Sequence, residues 1–122
     1  MTDNKKTIEK YMEGFRRSDH RMILECVTDD VVWIMPGVYE HHGRNAFDKE
    51  IENENFEGSP TIQVTRLTEE NDVVIAEGAV QAKMKNGNTL DAVFCDVFEM
   101  KGGKIRRLTS YLMSLNPSIR FA

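Results

Sequence analysis

A chain of 122 residues can bury a core without disulfide or metal staples and is short enough for one domain, so residues 1–122 are read as a single unit. With 40% hydrophobic and 30% charged residues and a net charge of −4, it lacks the basic excess that nucleic-acid binding needs; Arg16-Arg17 and Arg106-Arg107 are too small to track a phosphate backbone. No apolar run approaches the ~20 residues of a membrane span. The opening MTDNKKTIEK is polar where a signal peptide is apolar, and Cys26 and Cys95 show no metal-ligand spacing, so a reducing cytoplasm, free thiols and no bound metal are expected.

Ile8, Tyr11, Met12 and Phe15 recur at helical spacing and predict an amphipathic helix over 4–17. Ser18-Asp19 can end it and cap a short second helix lined by Met22, Ile23, Cys26 and Val27. DDVVWIMPG, residues 29–37, predicts the first strand, stopped by Pro36-Gly37; Trp33 and Met35 at its end are either core or the wall of a pocket. Residues 38–43 are expected as a loop carrying His41 and His42, and 44–54 as a third helix with Phe47 and Ile51 on one face. Beyond Gly58-Ser59-Pro60, strand-like runs at 61–69, 72–84, 89–100 and 104–115 are punctuated by Glu70-Asn71, Asn86-Gly87 and Gly102-Gly103 as hairpin turns. This order is an α+β domain, three helices gathered on one side of a mostly antiparallel sheet.

The turns suggest a register. Two-residue turns at Asn86-Gly87 and Gly102-Gly103 set Glu77 opposite Asp96 and Asp96 opposite Thr109, with Tyr111 and Met113 on the same face; a three-residue loop at either turn slips the register and flips these side chains. The 92–100 strand has two apolar faces, one with Phe94, Asp96 and Phe98, the other with Val93, Cys95 and Val97. Three short helices cover only one of them, so a homodimer through the outer face of the sheet is expected.

Asp96 interrupts an apolar strand. An unpaired buried carboxylate is costly, so Asp96 is either satisfied by backbone or hydroxyls such as Thr109 or Tyr111, or is the acid of a pocket. Glu77 interrupts VVIAEGAV in the same way; facing Asp96 it would share a proton and act as acid/base partner, and facing outward it would meet solvent or a partner chain. His42 and His41 are either exposed loop residues or bases at a pocket mouth. Cys95, without a histidine partner, reads as packing. Phe15, Phe47, Phe94 and Phe98 divide between core and pocket lining.

The stretches YMEGFRRSDHRMILECVTDDVVWIMPG (11–37) and CDVFEMKGGKIRRLTSYLM (95–113) resemble the opening and the last two strands of the nuclear transport factor 2-like superfamily, which includes ketosteroid isomerase, scytalone dehydratase, limonene epoxide hydrolase and SnoaL-like polyketide cyclases. The resemblance implies a strongly curved, cone-like half barrel around three helices with an apolar internal pocket. It places Tyr11 where ketosteroid isomerase keeps its oxyanion-hole tyrosine and Asp96 where it keeps a neutral aspartic acid, a pair able to polarise a carbonyl oxygen. The general base of that enzyme falls at Met35, which cannot take a proton. The epoxide hydrolase arginine and second aspartate fall at Phe94 and Met113, and a cyclase-type acid is also replaced by Met113.

The resulting expectation is a cofactor-independent acid/base enzyme of isomerase, dehydratase, cyclase or hydratase type, acting on a small apolar oxygenated molecule. Asp96, Tyr11 and Glu77 would be catalytic. Phe15, Trp33, Met35, Phe47, Phe94, Phe98, Thr109, Tyr111, Met113 and His42 would line the substrate. The alternative is a non-catalytic binding or dimerisation module with the same pocket.

Overall fold

The computed structural model describes residues 1–115. Helix α1 (Asp3–Arg16) starts at Thr2, whose side chain accepts from the Lys5 N–H, and α2 (His20–Leu24) starts at Asp19, which accepts from the Met22 N–H. Such caps satisfy N–H groups that the first helical turn leaves unpaired. Strand β1 (Val27–Met35) begins two residues earlier than expected, so Val27 belongs to it and not to the second helix. Residues 39–42 correct the loop expectation: they form β2 (Tyr39–His42), an antiparallel edge strand pairing Met35 with Tyr39 and Trp33 with His41. Pro36-Gly37-Val38 makes the reversal, with Gly37 at φ 79°, a conformation that costs glycine nothing.

Helix α3 (Arg44–Ile51) is followed by β3 (Phe56–Glu70), β4 (Val73–Met84), β5 (Thr89–Lys101) and β6 (Lys104–Ser114). The sheet order is β2-β1-β6-β5-β4-β3, with β1 and β6 parallel and the other neighbours antiparallel, and the sheet is unclosed. Strand β3 includes Gly58-Ser59-Pro60, where a break was expected, but its register with β4 shifts there, between Glu57 and Thr61, with Gly58 at φ 69°. It is an edge strand, and an edge tolerates a proline that donates no hydrogen bond.

Register is where the expectation changes most. Lys101 faces Lys104 across a two-residue turn, and Gly102 and Gly103 both have positive φ, as expected. The other turn has three loop residues. Met84 N–H bonds to Asn88 O, and Lys85, Asn86 and Gly87 lie between. The β4–β5 register therefore slips by one: Glu77 faces Cys95, and Asp96 faces Ala76. In β6 an irregularity at Glu99/Met100 moves the partner of Asp96 from Thr109 to Ser110. A slip of one residue sends a side chain to the opposite face.

The helices cover the face carrying Val74, Ala76, Phe98 and Leu108. There the core gathers Ile8, Tyr11, Met12, Ile23, Val31, Trp33 and Phe47. Aromatic rings brace it: Tyr11 meets Phe98 edge-on at 5.3 Å, and Trp33 lies 4.6 Å from Phe47. Such pairs add to stability beyond the area they bury.

At Gly78 the neighbouring strands come close to the backbone. A Cβ there would sit 2.1 Å from the Gln63 carbonyl oxygen and 2.8 Å from the Phe94 ring. Backbone oxygen cannot swing aside as a side-chain tip can. Gly78→Ala is expected to cost about 3 kcal/mol, the upper end of overpacking losses, in urea unfolding; a variant as stable as the parent would show that the sheet relaxes at this point.

Candidate functional site

Between the helices and the inner face of the sheet lie two adjoining hollows. The deeper, about 130 Å³, has Asp96 and Tyr11 in its wall together with Trp33, Phe94, Ile62 and Ser110. The outer, about 360 Å³, opens past Tyr39, Glu50, Asn53, Asn55, Phe56 and Leu90. Phe15, Met35, Val80 and Leu112 line both, so the two are floor and mouth of one space.

Asp96 is part-buried and borders the smaller hollow. Burial pushes its carboxyl up from 3.8 to about 7, and a hydrogen bond with Ser110 offsets part of the rise. Ser110 is itself buried and accepts from the Trp33 indole N–H at 3.0 Å. Trp33 thus has two roles, apolar wall and donor to the hydroxyl beside Asp96. Tyr11 is buried, and its phenol is pushed well above the ordinary range by desolvation first and then by the Asp96 charge. Its hydroxyl stays protonated and available as a donor. Tyr39 is raised for the same first reason, with Glu50 and then Asp96 adding to it.

Several expected positions lie elsewhere. Glu77 is on the outer face, ion-paired with Arg66, which holds its carboxyl below the usual range. It does not meet Asp96, because the three-residue loop turned it over. Thr109 and Tyr111 pair with Val97 and Cys95 on that same outer face, and Met113 with Val93. Tyr111 is 53% and Met113 68% exposed. His42 is exposed on the edge strand and bonds Glu40 at 2.6 Å. Phe47 and Phe98 are wholly buried behind the cavity wall, in the core. Phe15, Trp33, Met35 and Phe94 do border the hollow.

Residues the sequence reading passed over are Ser110, Tyr39, Glu50 and Asn53. Glu50 accepts from Asn53 Nδ2 at 2.8 Å and sits 2.9 Å from His41 Nε2. One signal was available: Glu50 lies three residues after Phe47 on α3, and i, i+3 positions share a helix face. The inward turn of His41 follows only from β2 being a strand. Among the described residues no group of three or more His, Cys, Asp or Glu is placed to hold a metal ion.

A raised carboxyl makes a signed prediction. The folded state holds the Asp96 proton where the unfolded state has lost it, so its contribution to stability is full below pH 3.8 and disappears by about pH 7. The ceiling is roughly 4 kcal/mol. Asp96→Asn carries no such charge. Its melting temperature relative to the parent should rise from about equal at low pH to clearly higher above pH 7; a difference that stays flat across this window would place the carboxyl in water.

The model of the SnoaL-like domain matches residues 8–108. No curated protein matches this chain in sequence. Among solved structures, Bal32a from a soil-derived mobile gene cassette aligns with TM-score 0.82 at 22% identity, over 90% of this chain and 88% of that one. TerC co-crystallised with polyporic acid aligns with TM-score 0.80 at 22% identity, over 89% and 90%. An LEH-like epoxide hydrolase of M. tuberculosis aligns with TM-score 0.80 at 15% identity, over 91% and 83%. These likenesses carry the fold. With the family match over most of its length, the chain belongs to the SnoaL-like domain family of the nuclear transport factor 2-like superfamily.

Proposed function

We propose that the protein is a cofactor-independent acid/base enzyme for a small, mostly apolar molecule bearing a carbonyl-type oxygen. One observation carries this reading: Asp96 and Tyr11 border the same small apolar hollow, and burial favours the protonated form of both. Two O–H donors in a desolvated site stabilise negative charge that develops on an oxygen far better than they would in water. The floor takes the oxygen, and the walls Phe15, Met35, Val80 and Leu112 take the hydrocarbon. TerC, of like fold, was crystallised with polyporic acid, an oxygenated organic ligand. The reaction would be an isomerisation, dehydration, cyclisation or hydration. A second reading, a binding module without turnover, is favoured by Met35, a thioether where the resemblance puts the proton acceptor.

The test uses 2-naphthol, a planar phenol that resembles an enol, in titration calorimetry. Asp96→Leu and Tyr11→Phe are each expected to weaken binding about tenfold, the loss of one good hydrogen bond. Parent affinity should fall as pH rises through about 7, because a charged Asp96 no longer donates. Equal affinity in parent and Asp96→Leu would sink the reading.

We further propose that two copies pair through the outer face of the sheet, in a reducing cytoplasm. Val93, Tyr111 and Met113 leave an exposed apolar strip there, 39%, 53% and 68% open. Sedimentation equilibrium should give twice the chain mass for the parent and a monomer for Tyr111→Lys combined with Met113→Glu. A parent that sediments at single-chain mass overturns the pairing.

A further inference from the structure

A floor that donates hydrogen bonds can hold an enolate but cannot make one; a proton acceptor has to stand within the same hollow. Met35 cannot accept a proton. Glu77 faces away and is paired with Arg66. His42 is exposed and turned to Glu40. Glu52 is bridged by His20, more than half exposed. Glu50 remains.

Its position is distinctive. Glu50 borders the mouth of the cavity, and its side chain is only 16% exposed. Both oxygens are fixed, Oε1 by His41 Nε2 at 2.9 Å and Oε2 by Asn53 Nδ2 at 2.8 Å. Each oxygen has a second lone pair to offer. The His41 ring cannot swing freely, because it stacks on Tyr39 at 4.5 Å and 21°, and Tyr39 meets Trp33 edge-on at 5.5 Å. A carboxylate oriented by a histidine that is itself held in place is the arrangement a general base requires. Asn53 carries no charge and His41 no permanent one, so the carboxylate is not quenched by a fixed cation as Glu77 is by Arg66.

We infer that Glu50, held by His41 and Asn53 at the cavity mouth, is the proton acceptor for a ketone whose carbonyl oxygen sits between Asp96 and Tyr11. This rests on the function proposed above. In the step, the Glu50 carboxylate takes the proton from the carbon next to the carbonyl. The C–H electron pair becomes the C=C bond, and the C=O π pair moves to oxygen, which receives the two floor hydrogen bonds. Glu50 then returns the proton to the same carbon or to a conjugated one, so no oxidant, reductant or second reactant enters. The substrate class is an enolisable cyclic ketone bound with the carbon next to its carbonyl directed from the floor toward Glu50. His41 and Asn53 are positioning residues; they act through Glu50.

The probe is 2-tetralone in deuterated buffer, its hydrogen exchange followed by NMR, with 2-naphthol as its enol-like analogue. The parent should exchange protons above the buffer rate, and Glu50→Gln should lower that rate at least about 100-fold, with 2-naphthol still bound. Glu50→Ala should regain exchange when formate is added, which a purely structural role would not allow. His41→Asn should lower kcat with KM unchanged. If Glu50→Gln melts early, Glu50→Asp carries the same test, since it keeps the acid but shortens its reach. Exchange in Glu50→Gln within threefold of the parent, or none above buffer in the parent, overturns the inference. Binding of 2-naphthol by Asp96→Leu as tight as by the parent overturns the underlying reading instead, whatever Glu50 does.

Discussion

A carboxyl set between Ala76 and Ser110 on the inner face of the sheet has little to receive its charge. Around it are Tyr11, Phe15, Trp33, Phe94 and Leu112, which offer rings and hydrocarbon, and the Ser110 hydroxyl gives one hydrogen bond. Moving a proton off Asp96 means placing charge where water does not solvate it, so the group stays neutral to higher pH than a surface acid. That single desolvation shapes the site. It makes Asp96 a donor and gives the hollow a definite floor, beside Tyr11 and Tyr39, whose hydroxyls are raised first by their own burial.

The rest of the site answers that constraint by separating polar groups along one apolar passage. Asp96, Tyr11 and Ser110 stand at the deep end, and Glu50 with Asn53 stands at the mouth. Met35 lies between, bordering both spaces. Had the position of Met35 carried an acid, two carboxyls would have competed for one proton at short range. A thioether there adds no second charge, and among the described residues Asp96 is the one carboxyl lining the floor.

Much of this was legible in the chain, for reasons that can be assigned. The period-two alternation around Phe94, Asp96 and Phe98 sorted those side chains onto one face correctly, because alternation follows from strand geometry alone. The helices were legible from apolar spacing and from the Asp19 cap. The partner of each strand residue was not. Asn86-Gly87 suits a two-residue turn, but the loop holds three residues, and Gly87 at φ 91° takes the left-handed place that such loops require. That one extra residue moved Glu77 from cavity to surface. The β6 irregularity did the same to Thr109, Tyr111 and Met113. Neither leaves a mark in hydrophobic pattern, since both faces of β5 are apolar. Tyr-Glu-His-His also lacks any strand signature; its pairing with β1 is tertiary, and the inward turn of His41 depends on it.

The same register accounts for why the two faces of the sheet differ in kind. Glu77 and Arg66 pair beside Cys95 on the outside, in contact with water, where an ion pair is cheap to form and adds little stability. Asp96, one residue along β5 from Cys95, faces inward, where burial and the Ser110 hydroxyl, not a cation, govern its charge. Neighbours in sequence therefore stand in opposite electrostatic environments, one charge neutralised at the surface and the other suppressed by burial. Turning β4 by one residue would bring Glu77 to the inner face opposite Asp96, leave Arg66 without its partner and force a proton to be shared. The three-residue loop keeps the inner face free of that second carboxyl, and the neutral acid at the floor depends on it.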